Sequence, residues 1–450
     1  MSATSLPIRV EPKNVLETLG KHILVDGYHV VMDLKRSKGN YVHDSLHDVD
    51  VLDFFSNFAT CPIGYGHPKM TTPEFLEELG WAAVTKPANS DIYTSQMAEF
   101  VETFARLAVP ESHNRHMFFV EGGALANENQ LKAAFDWKIR KNFRKGYRRE
   151  VGNQVIHFEQ SFHGRSGYTL SLTNTADPRK TMYFPKFQWP RIVNPKLTFP
   201  LTPESLEKTV ALEQLAVAQV EQALVDNRDD VAALIIEPIQ GEGGDNHFRK
   251  EFLAELRRIC DESEVLFLVD EVQTGVGITG HMWGFQALDV VPDMFSFGKK
   301  TQVCGFASND RILEVPENVF AVSSRINSTW GGNLVDMVRC RKFLEIIEEE
   351  KLVENARLVG EFLMGKLHEL SHEFAGRMTN IRGRGLFIAF DLPDHATRGK
   401  VLSAWLQKHN VMGLASGEKA IRLRPPLTLT REDALVGVQR LRAALTEVLG

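Results

Sequence analysis

Residues 266–275 read Leu-Phe-Leu-Val-Asp-Glu-Val-Gln-Thr-Gly, and residues 292–300 read Pro-Asp-Met-Phe-Ser-Phe-Gly-Lys-Lys. The apolar run Leu266–Val269 has the length of a buried strand, and it ends on an acid, Asp270. A carboxylate there needs a cationic partner, because an unpaired buried charge is expensive. A protonated pyridine nitrogen meets that need. A lysine on a neighbouring loop, Lys299 or Lys300, can form an imine with an aldehyde on the same ring. Pyridoxal phosphate sites require such a lysine and such an acid. An aspartate capping a helix beside an ordinary surface lysine also accounts for the two spans, and they alone do not decide between the readings.

Three more strand candidates share the pattern: Met117–Val120, Val155–Phe158 and Ala233–Ile236. Each is followed by polar, glycine-containing sequence: Glu121-Gly-Gly-Ala, Glu159-Gln-Ser-Phe-His-Gly-Arg and Glu237-Pro-Ile-Gln-Gly-Glu-Gly-Gly. Open parallel sheets bind ligands beyond the carboxyl ends of their strands, so the four tails predict one shared rim. From about Thr72 to Val338, apolar runs alternate with helical patterns. Examples are Met97–Leu107 and Leu125–Arg140, where Leu131, Phe135 and Ile139 recur on one helical face. The alternation predicts an α/β fold with a mixed, mostly parallel sheet covered by helices.

Before this region, His22–Leu24, Val30–Asp33 and Val51–Phe55 read as short strands, followed by the turn-rich Cys61–Pro68. After it come a charged helix (Arg341–Lys351), a strand within Arg382–Asp391, the segment Ile421–Pro426 and a last helix. The expected division is residues 1–75 as the N-terminal part of a small unit, 76–340 as a large unit, and 341–450 as the rest of an α+β small unit. No repeat or low-complexity tract is present.

Composition bounds the function classes. The chain has 450 residues, 43% hydrophobic and 24% charged, with net charge −6. That length suits two or three domains, and that balance suits an ordinary globular protein rather than a nucleic-acid binder. The basic run Arg140–Glu150 reads as a solvated loop after a helix. No apolar run is long enough to span a membrane. Met1–Pro7 lacks a basic stretch followed by an apolar one, so no leader is expected. Cys61, Cys260, Cys304 and Cys340 are widely spaced, which predicts neither disulfides nor a metal site and points to the cytoplasm.

The motifs Val269-Asp-Glu-Val-Gln-Thr-Gly275, Pro292-Asp-x-x-x-x-Gly-Lys299 and Ser328-Thr-Trp-Gly-Gly-Asn333 occur in this order. From about Phe54 to Pro426 the chain resembles the class III (omega) aminotransferases of pyridoxal-phosphate fold type I. Glu121–Ala126, Ser161–Thr175, Glu237–Asp245, Gly298–Gly305 and Arg422–Leu427 resemble the branch that acts on the ε-amine of L-lysine.

The resemblance implies roles residue by residue. The Schiff-base lysine directly follows the motif glycine, which selects Lys299. Asp270 pairs with the pyridinium, Phe162 stacks on the ring and Gln273 lies near its hydroxyl. Gly122, Gly123 and Ala124 let backbone N–H groups approach the phosphate at a helix N-terminus. Thr329 reaches that phosphate from the partner subunit of a homodimer, with Asn327 and Trp330 on the same wall. Arg165 takes a distal carboxylate, and Arg422 takes the proximal carboxylate of 2-oxoglutarate or L-glutamate. Glu242 neutralises Arg422 when lysine is bound. His163 is expected to be structural, and Lys86–Tyr93 to be a loop at the site edge. The implied reaction is L-lysine 6-transamination with 2-oxoglutarate, with no metal, nucleic acid or membrane. Ornithine or 4-aminobutyrate transamination, and a mutase or decarboxylase of the same fold, are the alternatives.

Overall fold

The computed structural model describes residues 9–450. The stretch Met1–Pro7, read above for a leader, lies outside the described residues. Seven strands form the large sheet: His116–Val120 (β1), Gln154–Phe158 (β2), Arg191–Ile192 (β3), Val231–Ile236 (β4), Leu266–Asp270 (β5), Met294–Phe297 (β6) and Cys304–Ser308 (β7). Their spatial order is β1-β7-β6-β5-β4-β2-β3. Only β7 runs opposite to its neighbours, so the other six strands end on one rim. The mixed, mostly parallel sheet expected from the alternation is therefore present.

Side-chain alternation explains why the sheet is covered on both faces. In β5, Leu266 and Leu268 join one core cluster while Phe267 and Val269 join the other. In β4, Ala233 and Ile235 face the first cluster, Leu234 and Ile236 the second. The helix Gly123–Arg144 covers one face with Leu131, Ala134 and Trp137. The helix Lys250–Glu262 buries Phe252, Leu253, Leu256 and Ile259 in the other cluster. Each fully buried large apolar side chain contributes about 1.5–3 kcal/mol. That is enough to offset the roughly 1–2 kcal/mol that fixing each backbone residue costs.

Both ends of the chain meet beside this sheet. The hairpin Tyr41–Asp44 and Val49–Asp53 is extended by Val411–Met412, which pairs parallel with its second strand. Next to it, Thr379–Arg384, Phe387–Asp391, Ala420–Leu423 and Leu414–Ser416 make an antiparallel sheet in that order. Residues 75 and 340, where divisions were expected, lie inside the helices Pro73–Val84 and Leu334–Glu349.

Several local expectations change. His22–Leu24 forms no strand; Ile23 and Leu24 are exposed. Val30–Asp33 contributes only a single bridge, Met32 to Asp44. The strand expected over Val51–Phe55 is Val49–Asp53. It stops where the Asp53 carboxylate accepts the N–H groups of Phe55 and Ser56, at 2.7 Å each, and turns the chain. The helix before the basic run continues to Arg144. The charged helix begins at Leu334, capped by the Asn333 side chain. Arg382–Asp391 spans two strands, with Gly385 at φ 54° in the turn between them.

Two glycines of the helix Leu352–Glu373 give opposite expectations. A Cβ on Gly360 would lie 2.0 Å from the Gly385 carbonyl oxygen, whereas one on Gly365 would meet nothing within 4 Å. Gly360→Ala is expected to cost about 1–3 kcal/mol through overpacking. Gly365→Ala is expected to gain up to about 1 kcal/mol from helix propensity. Denaturant melts of both variants check the pair; equal shifts would contradict the close approach.

Candidate active site

The rim holds a buried acid whose surroundings are fully assigned. Asp270 ends β5 and its side chain is buried. Its Oδ2 accepts from Asn127 Nδ2 at 2.7 Å and from His163 Nδ1 at 2.8 Å. Its Oδ1 accepts from the Val272 N–H at 3.0 Å and from Ser296 Oγ at 3.3 Å. Four donors satisfy both oxygens and fix the direction of the carboxyl group. Asn127 comes from the helix Gly123–Arg144, His163 from the tail of β2 and Ser296 from β6, so Asp270 ties the rim together.

The two candidate lysines have different surroundings. Lys299 lines a cavity of about 830 Å³ above the rim, together with Phe162, Glu237 and Gln273. Its φ is 51°, a left-handed conformation that costs a non-glycine residue on the order of 1 kcal/mol or more. Burial, aided by the positive charge of Arg422, lowers its amine to about 8. Lys300 is buried beneath and donates from Nζ to the Gln273 carbonyl at 2.7 Å. Burial, then Arg424, pushes its amine well below the usual lysine range.

A second carboxyl group, Glu237, lies in the same wall. Its two oxygens accept the N–H groups of Phe162 and Gly241, both at 2.9 Å. Burial pushes its carboxyl up to about 7, His163 opposing and Asp270 adding to the shift. Glu237 thereby holds the Phe162 backbone in place. The Gln273 side-chain oxygen is buried with no hydrogen-bond partner.

The far wall carries charge. Arg165, Lys180, Glu242, Arg398 and Arg422 all line the cavity. Arg422 is buried, and its Nε and Nη1 have no partner. Glu242 pairs through Oε1 with Lys180, while its buried Oε2 has no partner.

Gly122 (φ 99°) precedes the 22-residue helix Gly123–Arg144, which has no side-chain cap and no acid in its first turn. Those first-turn N–H groups are free for an anion. Cβ atoms are excluded nearby: one on Gly123 would meet Val272 Cγ1 at 3.0 Å, and one on Gly164 the Ala124 Cβ at 2.6 Å.

Of the residues singled out from sequence, Phe162, Arg165, Glu242, Gln273, Lys299 and Arg422 line one cavity, and Asp270 is buried close enough for its charge to act on Lys299 and Glu237 there. Gly123 and Ala124 lie behind Val272. Asn327 and Thr329 are not brought to this cavity; they are exposed on a separate loop. That loop packs on the Lys86–Tyr93 segment: the Asn89 N–H donates to the Trp330 carbonyl at 3.2 Å, and Ser90 Oγ to that of Thr329 at 3.4 Å. Lys86 bridges from Glu121 to the face of Trp330. Asn127, Glu237, Lys180 and Val272 escape the sequence reading. Glu237 alone left a signal, as the first polar residue after an apolar strand.

Pyridoxal phosphate needs partners for its ring nitrogen and hydroxyl, an amine for its aldehyde and an anion site for its phosphate. A fixed carboxylate for the ring nitrogen, an open Gln273 oxygen, a neutralisable lysine and an uncapped helix N-terminus are present at one rim, and these residues fit the group. Among the described residues no cluster of three or more His, Cys, Asp or Glu side chains can hold a metal ion, and no helix is long and apolar enough to cross a membrane.

The Aminotransferase class-III family model matches residues 24–445. The chain is 48% identical over 442 residues to the L-lysine-epsilon aminotransferase of Mycobacterium tuberculosis, covering 97% of this chain and 96% of that protein. It is 47% identical to the protein of the same name from Amycolatopsis lactamdurans, covering 99% and 98%. A 4-aminobutyrate aminotransferase of Schizosaccharomyces pombe is 32% identical, covering 95% and 92%. The solved lysine aminotransferase from M. tuberculosis, in its internal aldimine form, superimposes with a TM-score of 0.94 over 98% of this chain and 100% of that one.

The lowered Lys299 amine makes a pH prediction. A neutral amine is required to attack an aldehyde, and its fraction rises as pH climbs through about 8. Cofactor capture by the apoprotein is expected to speed up about tenfold per pH unit below that value and to level off above it. Stopped-flow absorbance of the imine band measures this. Lys299→Ala should show no band, and Lys300→Ala should retain it.

Proposed function

This chain belongs to the class-III aminotransferases, which work with pyridoxal 5′-phosphate. From that premise we propose that it is an L-lysine 6-transaminase, moving the ε-amino group of L-lysine to 2-oxoglutarate to give 2-aminoadipate 6-semialdehyde and L-glutamate. The observation that carries the reading is that Arg165, Arg422 and Glu242 line the same cavity as the candidate lysine, Lys299.

Two substrates must use one cavity in turn. L-Lysine, reacting at its ε-amine, has a carboxylate only at the far end, whereas 2-oxoglutarate has one at each end. Arg165 suits the far carboxylate of both by a bidentate contact. Arg422 then has a partner only with the dicarboxylate. With lysine bound it would face methylene groups, and Glu242 neutralises it.

Bound pyridoxal phosphate supplies an aldehyde that takes up the amino group and a ring that draws electrons from the reacting carbon. The chain's residues do the rest. Asp270 keeps the ring nitrogen protonated. Phe162 and Val272 bracket the ring position, and Gln273 serves its hydroxyl. Lys299 Nζ carries the proton from the reacting substrate carbon to the cofactor. Gly123 and Ala124 offer N–H groups to the phosphate.

A homodimer belongs to the proposal. Thr329 and Asn327 are exposed away from their own cavity, and the Lys86–Tyr93 segment that packs on their loop exposes the apolar side chains of Ile92 and Tyr93. A second copy covering this surface would bury them and receive Thr329 at its phosphate. If so, mixing inactive Lys299→Ala and Thr329→Ala subunits restores part of the activity; a mixture that stays inactive argues for separate sites.

The decisive assay is a donor screen with 2-oxoglutarate, reading glutamate and trapping the aldehyde. L-Lysine is expected to exceed L-ornithine and 4-aminobutyrate by about tenfold or more in kcat/KM; a better rate with either rival overturns the substrate assignment. Glu242→Ala is expected to slow the lysine half-reaction roughly tenfold more than the glutamate half-reaction in single-turnover experiments. Equal losses would refute the neutralising role.

A further inference from the structure

The carboxylate assigned above to Arg422 is elsewhere. Glu242 Oε1 makes an ion pair with Lys180, at the end of the short turn Pro178–Lys180 on the cavity wall. The pair is partly buried, with side-chain exposures of 27% for Lys180 and 22% for Glu242. Glu242 Oε2, Arg422 Nε and Arg422 Nη1 are buried and have no partner. Of the cationic side chains that line the cavity, Glu242 pairs with Lys180, and Arg422 is left with two unpartnered nitrogens.

The main chain around Glu242 is held. Its carbonyl accepts the Gly417 N–H at 3.0 Å. Gly243 lies so close to Gln160 that a Cβ there would sit 1.9 Å from the Gln160 carbonyl oxygen. Only side-chain torsions are left to carry the carboxylate from one cation to the other, and rotamer changes are fast compared with turnover. Arg398 is committed elsewhere: its Nη1 donates to the carbonyls of Ser416 and Gly417 at 3.0 and 2.9 Å.

We propose that Lys180 is the second pole of a two-position carboxylate switch, holding Glu242 off Arg422 so that the dicarboxylate substrate can enter. The inference rests on the substrate reading above and deepens it. With Glu242 on Lys180, Arg422 is open to the proximal carboxylate of 2-oxoglutarate or glutamate. With Glu242 on Arg422, the same wall is neutral toward the methylene chain of lysine. Lys180 is a positioning residue: it acts on Arg422 through Glu242, and its charge sets the balance between the positions. Removing that charge shifts Glu242 toward Arg422. A dicarboxylate must then displace it, while lysine finds the wall already neutral. The two substrates therefore respond in opposite directions, because a shift in population favours one state at the other's expense.

The test uses holoenzyme with Lys180→Met, Lys180→Arg and the double variant Lys180→Met/Glu242→Gln, with thermal melts to confirm folding. Calorimetry with glutarate, an unreactive dicarboxylate, is expected to show about tenfold weaker binding to Lys180→Met and near-native binding to Lys180→Arg. Adding Lys180→Met to Glu242→Gln is expected to change glutarate binding by less than about twofold, because the carboxylate to be held is gone. Single-turnover reaction of Lys180→Met with L-lysine is expected to be faster or to saturate at lower concentration. Equal weakening toward glutarate and lysine, loss toward lysine alone, or no change in either overturns the proposal. If the wild-type enzyme proves inactive on L-lysine while glutarate affinity still depends on Lys180 only through Glu242, the substrate assignment falls and the two-position carboxylate stands.

Discussion

The site depends on keeping one carboxylate charged inside a protein core. Asp270 is buried at the end of a strand that is apolar on both faces, where an isolated charge would be driven to neutrality. Four hydrogen-bond donors offset that cost, and they come from the helix after β1, the tail of β2, the start of β5's own tail and β6. The same contacts that hold the charge therefore align four of the strand ends. A parallel sheet is suited to this, because its carboxyl ends lie side by side. The charge in turn selects a cationic ring as its ligand, and the rest of the cavity is arranged around that ring.

Electrostatics then divides the cavity in two. Near the floor, burial and Arg422 lower the Lys299 amine to about 8, so it can exchange protons near physiological pH. Glu237, its carboxyl raised to about 7, is only partly ionised near neutral pH and fixes the wall through its hydrogen bonds to backbone N–H groups. The far wall is cationic, with Arg165, Lys180, Arg398 and Arg422 against Glu242. A wall of that sign attracts carboxylates, and in the proposed reading the Glu242 side chain on it decides how many are accepted.

How much of this is legible in the sequence follows from distance along the chain. Asp270 and Lys299 are legible because each closes a short unit: an acid directly after an apolar run, and a lysine directly after a glycine. The parallel sheet is legible because strands buried on both faces read as continuous apolar runs. Asn127 and His163 are not legible as partners of Asp270, since 143 and 107 residues separate them from it and neither sits in a periodic pattern. Lys180 has the weakest signal: it lies in a loop among other polar residues, and only the folded chain brings it to Glu242. The N-terminal stretch His22–Leu24 carries two strand-compatible residues, Ile23 and Leu24, but both stay exposed and form no strand, so tertiary context overrides propensity.

The loop bearing Glu242 shows why the movable part is confined to a side chain. Arg382 donates from Nε to the Asp245 carbonyl at 2.9 Å and from Nη2 to the Gly244 carbonyl at 2.5 Å. Arg424 pairs with the Asp245 carboxylate while its guanidinium lies 3.3 Å from the centre of the Phe387 ring. Both arginines belong to the C-terminal part of the chain, and the loop belongs to the large sheet. The contacts are buried, so breaking one partner would strand a charge away from water at a cost of about 3–5 kcal/mol. A hinge there would need several such breaks in every cycle. The main chain of Arg422, two residues before Arg424, is therefore held relative to that of Glu242, and in the proposed reading adaptation to two substrates is left to side-chain torsions.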